Sequence, residues 1–287
     1  KKIKNILEIG AGSDYIAKGI NKKNPYQLAT LVDPALRKSS IKNIKVISSY
    51  FPTAEINNKV FDFIYSINTL EHIIDPEEFL MQVRNNITKE GFLVFIFPNI
   101  EEQFKRGDIG SLLHEHLNYF DSKSARFLFE KCGFNLIESF TNNDEITLFC
   151  EKTKLPSTNI IQFDCVKEKI FYDSFSKMLA RVETNKEKFL HYYSKGFKIG
   201  FHGACNALSN FLYLSNLYKK KDFYIFDGDE SKNNRYLPYS TIKILHNSNE
   251  LYREMDVLFI AASTFSKEIV NNAKEFFDPK NILNLFD

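Results

Sequence analysis

The sequence contains no tryptophan, only four cysteines and no long apolar run. The cysteines lie far apart, with no Cys-x-x-Cys pair, which disfavours a cysteine-based zinc site and favours a reducing compartment. No apolar stretch approaches the roughly 20 residues of a membrane-spanning helix, and no secretory signal is visible. We therefore predict a cytoplasmic protein without a membrane partner.

Positive and negative charges are nearly balanced. The 287 residues include 38 basic and 36 acidic side chains, and the net charge of +2 argues against a large nucleic-acid interface. The length suits two ordinary domains or one large one, and 28 phenylalanines must build much of the core. The chain starts at Lys1, almost directly on an apolar run, so we expect further residues upstream. The sequence leaves the oligomeric state open.

The first half alternates short apolar runs with amphipathic stretches. The apolar runs predict strands at 5–10, 26–33, 44–48, 60–67, 91–98, 134–140 and 145–151. Helical patterns lie at 14–22, 76–87 and 122–132, and Asp75 can cap the second of these helices. Strands that alternate with helices predict a doubly wound α/β domain with a parallel sheet, which we place at residues 1–152.

A second alternating pattern follows a helical segment. The stretch TKLPSTN at 153–159 is typical of a linker, and the charged stretch 164–194 has helical periodicity. Strands are then predicted at 197–203, 222–227, 256–262 and 281–286, with helices between them. We therefore predict a linker and helical segment at 153–195 and a second, smaller α/β domain at 196–287.

A glycine turn follows the first predicted strand, in the sequence ILEIGAGSD at 6–14. Glycine lets the backbone approach a ligand closely, and the free N–H groups of a helix start favour an acceptor or an anion. Asp33 ends the next strand, where a carboxylate can accept both hydroxyls of a ribose. Glu8 lies inside the first strand and would favour a ligand with a sulfonium and an amine. Asp14 can cap the following helix.

The segment LLHEHLNYFD at 112–121 contains His114, Glu115 and His116. Zinc proteases space their histidines as His-Glu-x-x-His, and zinc deaminases need a downstream Pro-Cys-x-x-Cys that this chain lacks, so we predict no metal. A structural role in a loop is one alternative. Acid–base chemistry is the other, because the segment follows the fifth strand, at the sheet edge where doubly wound folds bind ligands. Histidine titrates near neutrality and can take a proton from an acceptor.

Four segments together resemble the motifs of class I S-adenosylmethionine-dependent methyltransferases: LEIGAGS, LVDP, FDFIYSINTLEHIIDPEEFL and GFLVFIFPN. The resemblance covers about residues 1–150 and implies S-adenosylmethionine as the cofactor. The implied cofactor residues are Glu8, Gly10, Ala11 and Gly12 at the methionine part, Asp33 and Pro34 at the ribose, Tyr50 and Phe51 at the adenine, and Asn68, Thr69, Leu70 and Glu71 at the sulfonium. His72 is expected to pack near the cofactor.

The segment HEHLNYFDSKSARFLFEKCGFNLIE resembles the His-Glu-His-x-x-Tyr-Phe segment of the sugar C-methyltransferases. Those enzymes methylate a carbon beside a keto group on nucleotide-activated deoxysugars. GFHGACNALSNFL, YIFDGDESKNNRYLP and MDVLFIAASTFSKEIV resemble the Rossmann-like C-terminal domain of the same family. The resemblance implies a small-molecule acceptor, carbohydrate-like and nucleotide-activated, held between the domains. The predicted catalytic residues are His116, Glu115 and His114, and the predicted acceptor contacts are Asn99, Tyr119 and His202.

Three departures from that family leave the acceptor open. Leu113 stands where the family commonly has tyrosine, and the glycine loop at 200–204 has no cation soon after it. The sequence shows no counterpart of the family's N-terminal zinc module, so either the module lies upstream of Lys1 or this is a branch with another acceptor. A methyltransferase acting on oxygen or nitrogen therefore stays an alternative. An NAD-dependent oxidoreductase or a non-catalytic binding protein is a further one, although neither glycine loop begins a Gly-x-Gly-x-x-Gly pattern.

Overall fold

The computed structural model describes residues 3–142, 144–153, 165–263 and 265–286. The chain forms two compact units, one of Lys1–Glu102 with His114–Phe163 and one of Gln103–Leu113 with Asp164–Asp287. The predicted linker lies outside the described residues from 154 onward. The domain limits that we placed at 152 and 195 stay a prediction.

The first unit is built on a seven-stranded sheet. Its elements are β1 (Asn5–Ile9), α1 (Tyr15–Lys23), β2 (Leu28–Val32), β3 (Ile44–Ile47), β4 (Phe61–Ile67), α2 (Pro76–Asn85), β5 (Ile87–Pro98), α3 (Ile100–Lys105), α4 (Ser122–Lys131), β6 (Phe134–Thr141) and β7 (Glu145–Lys152). The strand order is β3-β2-β1-β4-β5-β7-β6. The first five strands are parallel, whereas β7 pairs antiparallel with both β5 and β6.

The sheet is covered on both faces, as its nearly continuous apolar strands predicted. Leu7 and Ile9 of β1 belong to a core cluster that includes side chains of α2 and α4. Ile6 belongs to a second cluster, which includes Ala17 of α1. This division follows from the period of two along a strand. Glu8 is on the same side of β1 as Ile6 and is therefore buried with it.

The helix ends confirm one predicted cap and correct another. The Asp75 carboxylate accepts a hydrogen bond from the Glu78 backbone N–H (2.9 Å), which caps α2 as predicted. Asp14 precedes α1 but makes no capping hydrogen bond with its side chain, so that prediction is wrong. Its carboxylate instead accepts from the Ser39 hydroxyl and pairs with Lys18 at 2.8 Å. A partner 25 residues away therefore replaces the local cap.

The second unit contains a smaller, wholly parallel sheet. Its elements are α5 (Cys165–Ser194), β8 (Ile199–His202), α6 (Asn206–Leu214), β9 (Tyr224–Asp227), β10 (Ile244–His246), α7 (Asn249–Arg253), β11 (Val257–Ile260), α8 (Ser266–Ala273) and β12 (Ile282–Asn284). The strand order is β10-β9-β8-β11-β12. The long helix α5 confirms the helical segment predicted at 164–194. The three-residue strand β10 was not predicted, because so short a run carries no readable period.

Residues 103–113 belong to the second unit although they precede β6 and β7 in the chain. The Asn210 side chain on α6 donates to the backbone oxygens of Ile109 and Leu112, both at 2.8 Å. Gly110 lies against Ala207, where a Cβ atom on the glycine would come within 3.1 Å of the alanine Cβ. These contacts fix the chain just before residues 114–116, His114-Glu115-His116, which we call the HEH motif. Among the described residues, no helix is long and apolar enough to cross a membrane.

Candidate active site

The glycine turn follows β1 and is hydrogen-bonded to the carboxyl end of the neighbouring strand β2. Gly10 and Gly12 both have positive φ angles, +73° and +56°, which glycine adopts without strain. The Gly12 N–H donates to the Asp33 carboxylate (3.0 Å), and the second carboxylate oxygen accepts from the backbone N–H groups of Ala35 and Leu36. These hydrogen bonds order the turn against the end of β2, where the sequence predicted a ribose site.

The two glycines of this turn have different surroundings. A Cβ atom on Gly10 would overlap the Thr69 side chain, whereas a Cβ atom on Gly12 would meet nothing within 4 Å. Gly10 is therefore needed for packing inside the protein. Gly12 faces open space, as a backbone that a ligand approaches closely must. The Thr69 hydroxyl contacts the Ile9 backbone oxygen (3.4 Å), which ties the segment after β4 to the end of β1.

Glu8 is buried beneath this turn and is linked to β4. The Tyr65 hydroxyl donates to the Glu8 carboxylate at 2.5 Å. The pKa of Glu8 is raised to about 7, because burial and the nearby carboxylates of Asp14 and Asp33 together outweigh the opposite effect of the Tyr65 hydrogen bond. A cation near the turn would favour the charged form of Glu8. The role of Glu8 beside a positively charged ligand stays a prediction.

The remaining predicted cofactor residues differ in exposure. Tyr50 is 77% exposed, and the ring of Phe51 packs against Phe79 with ring centroids 5.2 Å apart. Asn68 has a positive φ of +49°, and Leu70 is buried in the core, so that only its backbone can face a ligand. Ala11 packs against the second core cluster of the first unit, and Pro34 is half-buried after Asp33. The assignment of these residues to a bound cofactor stays a prediction.

The HEH motif lies at a turn, with its three side chains in different surroundings. The side chains of His114 and Glu115 are 90% and 67% exposed, whereas His116 is half-buried. The ring of His116 packs against His72, with centroids 4.9 Å apart, and lies 5.9 Å from the ring of Tyr119. Of the three side chains of the motif, the ring of His116 packs against the ring of His72.

Glu71 and His72 fix the backbone of this segment. His72 Nδ1 lies 2.8 Å from the backbone oxygen of Glu115. The Glu71 backbone oxygen accepts from the N–H groups of Leu117 and Asn118, at 2.8 and 3.0 Å. Sequence reasoning placed Glu71 and His72 near the cofactor but did not connect either with the HEH motif. The only local signal was their position just after β4, at the carboxyl edge of the sheet.

The site favours a neutral His116. Burial lowers the pKa of His116, positive charge on His72 lowers it further whenever that ring is protonated, and Glu115 partly opposes both effects. A neutral imidazole has a free lone pair and can accept a proton. Burial also raises the pKa of Glu71, which lies 3.8 Å from His72 Nε2. In this arrangement His116 can therefore act as a base.

The predicted acceptor residues lie in both units. Asn99 is buried at the end of β5, where its side-chain amide donates to the backbone oxygen of Asn142 (3.1 Å). Tyr119 is partly exposed beside His116. His202 ends β8 in the second unit, is hydrogen-bonded to the Tyr252 hydroxyl, and has its pKa lowered to about 4 by burial. It lines a cavity of about 630 Å³ at the carboxyl edge of that sheet.

That cavity also contains Asp227, which corresponds to Asp33 in its place after the second strand of the sheet. Asp227 accepts from the Ala204 N–H (2.8 Å) and from Lys232 (2.9 Å). Because Lys232 already donates to this carboxylate, fewer of its lone pairs remain to accept the hydroxyl groups of a ribose.

Two family models match successive parts of the chain. Residues 1–139 match a methyltransferase domain, and residues 164–282 match a C-methyltransferase C-terminal domain. The first match agrees with the strand order of the first sheet and with the glycine turn beside Asp33. The chain therefore carries a methyltransferase domain followed by a C-methyltransferase C-terminal domain.

The chain is similar to the C-methyltransferase NovU of Streptomyces niveus, with 23% identity over 269 residues. The match covers 86% of this chain and 64% of NovU, so the chain spans less than two thirds of that relative's length. Solved structures with a similar fold include a methyltransferase bound to the Trm112 activator of Haloferax volcanii, with a TM-score of 0.46 and 10% identity over 52% of this chain and 83% of that one. Another is a methyltransferase from Listeria monocytogenes, with a TM-score of 0.43 and 12% identity over 53% and 92% of the two chains.

Proposed function

We propose that the protein transfers the methyl group of S-adenosylmethionine to a carbon atom of a carbohydrate-like, nucleotide-activated acceptor. The observation that carries this proposal is the placement of His116. It is a half-buried histidine, with a pKa that burial lowers, on a segment that is tied through Glu71 and Thr69 to the end of β1. A carbon acceptor needs a base to remove its proton, whereas many oxygen or nitrogen acceptors react without one.

In this proposal the cofactor lies along the carboxyl edge of β1, β2 and β4. Asp33 holds the ribose hydroxyls, Gly12 allows close approach of the methionine part, and Glu8 stabilises positive charge nearby. When bound, S-adenosylmethionine supplies an electrophilic methyl group on a sulfonium. The open side of Gly12 and the ordered Asp33 carboxylate support this placement.

His116 then takes a proton from the acceptor carbon next to a keto group. The electron pair of that C–H bond forms the new bond to the methyl carbon, and the pair of the sulfur–methyl bond stays on sulfur. The proton that His116 has taken up then passes to water. Glu115, within the same turn, supports the positive charge that His116 acquires, and the charge effect of Glu115 on the pKa of His116 has this sign.

Support for a nucleotide-activated acceptor comes from the second unit. Residues 164–282 match the C-terminal domain of C-methyltransferases, and the cavity lined by His202 also contains Lys232, whose ammonium attracts phosphate oxygens. Tyr119 and Asn99 are the proposed acceptor contacts in the first unit. We propose 1–152 and 196–287 as the limits of the two domains.

A methyl-transfer assay tests the proposed reaction. S-adenosylmethionine is incubated with the protein and a panel of nucleotide-linked keto sugars, and the product is located by NMR. The expected result is a product with a new methyl group, which NMR locates on the sugar carbon next to the keto group. The matched control is the same nucleotide linked to a sugar without a keto group, which should give no product. A methyl group found on oxygen or nitrogen would contradict the proposal.

A further inference from the structure

Three side chains that can bind a metal ion converge where the segment after β4 meets the HEH motif. Glu71, His72 and His116 each offer a ligand atom, and these atoms lie within 4.8 Å of one another. Two come from the segment after β4 and one from the HEH motif. The prediction that the chain binds no metal rested on the spacing within one segment, which cannot detect a group assembled from two.

The orientation of His72 is the one that metal-binding histidines adopt. Its Nδ1 lies 2.8 Å from the backbone oxygen of Glu115, so Nδ1 carries the hydrogen and donates it. The lone pair then remains on Nε2, which lies 3.8 Å from a Glu71 carboxylate oxygen. In histidines that bind metals, the N–H of the other ring nitrogen almost always donates a hydrogen bond to a carbonyl or carboxylate oxygen. This hydrogen bond fixes the tautomer and the orientation of the ring.

Glu71 provides the second and independent observation. Its side chain is only 3% exposed, and among the described residues one of its carboxylate oxygens, Oε2, has no hydrogen-bond partner. Buried polar atoms without a partner are rare because they lose their hydration without compensation. A cation between this carboxylate and the two imidazoles would remove that cost.

We propose that Glu71, His72 and His116 form a binding site for a divalent transition-metal ion of the zinc type. Two neutral imidazoles and one carboxylate suit Zn²⁺, which binds nitrogen and oxygen ligands at about 2.0–2.2 Å. Tetrahedral ligand atoms at that distance are about 3.4 Å apart, so the three side chains close in by about 1 Å. Three protein ligands leave the fourth position to water.

The ion has a consequence for catalysis, which rests on the proposed function. A lone pair on His116 that is bound to a metal ion cannot accept a proton. Bound metal therefore inhibits methyl transfer, and a chelator restores it. The site makes the base of the enzyme unavailable while zinc is present.

Metal binding is tested without any turnover. The full-length protein is titrated with Co²⁺, whose visible absorption reports nitrogen and oxygen ligands, and with Zn²⁺ by calorimetry. Glu71→Gln and His116→Ala should each weaken binding about 100-fold or more, since even residues outside the ligand shell contribute 10–100-fold. His114→Ala is the matched control and should bind Co²⁺ as the wild type does, because its side chain is 90% exposed. Binding of the demethylated cofactor shows that each variant is folded.

The inhibition is tested separately in the methyl-transfer assay. Zn²⁺ at ten times its measured dissociation constant should lower wild-type turnover about tenfold, as expected for one saturable site, and EDTA should restore it. The ratio of turnover with and without Zn²⁺ should return towards one in Glu71→Gln. Equal Co²⁺ affinity in the wild type and both ligand variants would overturn the metal site. Co²⁺ binding at these ligands with unchanged or increased turnover would overturn the inhibition, whereas absence of methyl transfer to every acceptor would count only against the proposed function.

Discussion

At the scale of single residues, the two histidines of the HEH motif differ in what surrounds them. His114 is almost fully in solvent, whereas His116 packs edge-on against His72 and is half-buried. The difference arises because the motif lies at a turn and is not a continuous extended strand. On an extended strand His114 and His116 would point to the same side and could both act as the base. At this turn only His116 is in a position to do so.

Replacing His116 by Ala should lower turnover by roughly 10²–10⁴-fold and leave cofactor binding intact, because a base acts on the acceptor proton in the transition state. His116→Gln keeps much of the size and should restore little. His114→Ala is the control and should have a milder effect. Turnover is measured on the true acceptor, and cofactor binding by calorimetry. Near-normal turnover in His116→Ala would show that the motif is structural.

Asp33→Ala should weaken binding of the demethylated cofactor by about 1–3 kcal/mol, as expected for the loss of hydrogen bonds to a charged group. In the structure the same carboxylate also accepts three backbone N–H groups, so the substitution should loosen the turn as well. Titration calorimetry measures the affinity. Asp227→Ala, at the corresponding position of the second sheet, is the control and should leave this affinity unchanged. Identical affinity in Asp33→Ala and the wild type would refute the placement of the ribose.

Glu8 gives a pH dependence of stability. The pKa of Glu8 is raised to about 7 in the folded chain, from 4.5 for an ordinary glutamate, so between these pH values the folded state binds more protons than the unfolded state. The free energy of unfolding should therefore fall as pH rises from 4.5 to 7, by up to about 3 kcal/mol. Glu8→Gln should remove this fall. Urea unfolding at pH 5 and pH 7.5 without cofactor measures both proteins, and equal pH dependence in the two would contradict the assignment.

At the scale of the elements, the first α/β turn depends on glycine in two different ways. Gly10 permits close packing against Thr69 with a positive φ, and Gly12 has a positive φ with no atom near its Cβ position. Gly19 lies in the middle of α1, faces open space and has no positive φ. The same residue type is therefore required in the turn and unfavourable in the helix.

Gly19→Ala should raise the free energy of unfolding by about 0.4–1 kcal/mol, because alanine restricts the unfolded chain and fits the helix. Gly10→Ala should lower it by more than that, since its Cβ atom would overlap the Thr69 side chain and its φ is left-handed. Chemical denaturation compares the two variants with the wild type. The prediction fails if both substitutions change stability in the same direction.

At the scale of the whole molecule, the chain has two units with separate cores. Each sheet carries apolar clusters on both faces, with no cluster shared by the two sheets among the described residues. Segments that are adjacent in the chain can belong to different units, as residues 103–113 show. The chain therefore leaves the first unit after α3 has begun and returns to it at the HEH motif.

Separate cores predict two unfolding transitions in a thermal scan. Saturating demethylated cofactor should raise the transition of the first unit, because a ligand stabilises only the part that binds it, by about 4 kcal/mol at 1,000 times its dissociation constant. The second transition should not move. Differential scanning calorimetry with and without the ligand checks this. One transition that shifts as a whole would show that the units unfold together.

The sequence by itself determined most of the fold of the first unit. The periods of its apolar residues located the strands and principal helices, and the glycine turn with Asp33 located the ligand edge, because these signals are local. It missed α3 and β10, which are too short to show a period, and it misassigned Asp14 as a cap. The antiparallel pairing of β7 depends on which strands meet, and no local pattern encodes it.

Only the tertiary structure decided the surroundings of the candidate catalytic groups. The hydrogen bond from His72 to Glu115 joins residues 43 positions apart, and the one from Tyr65 to Glu8 joins residues 57 apart. Burial and such distant partners set the pKa values of Glu8 and His116 and bring Glu71 to the HEH motif. The energies of desolvation and long-range pairing depend on the whole folded chain, whereas periodicity and turn chemistry act over a few residues.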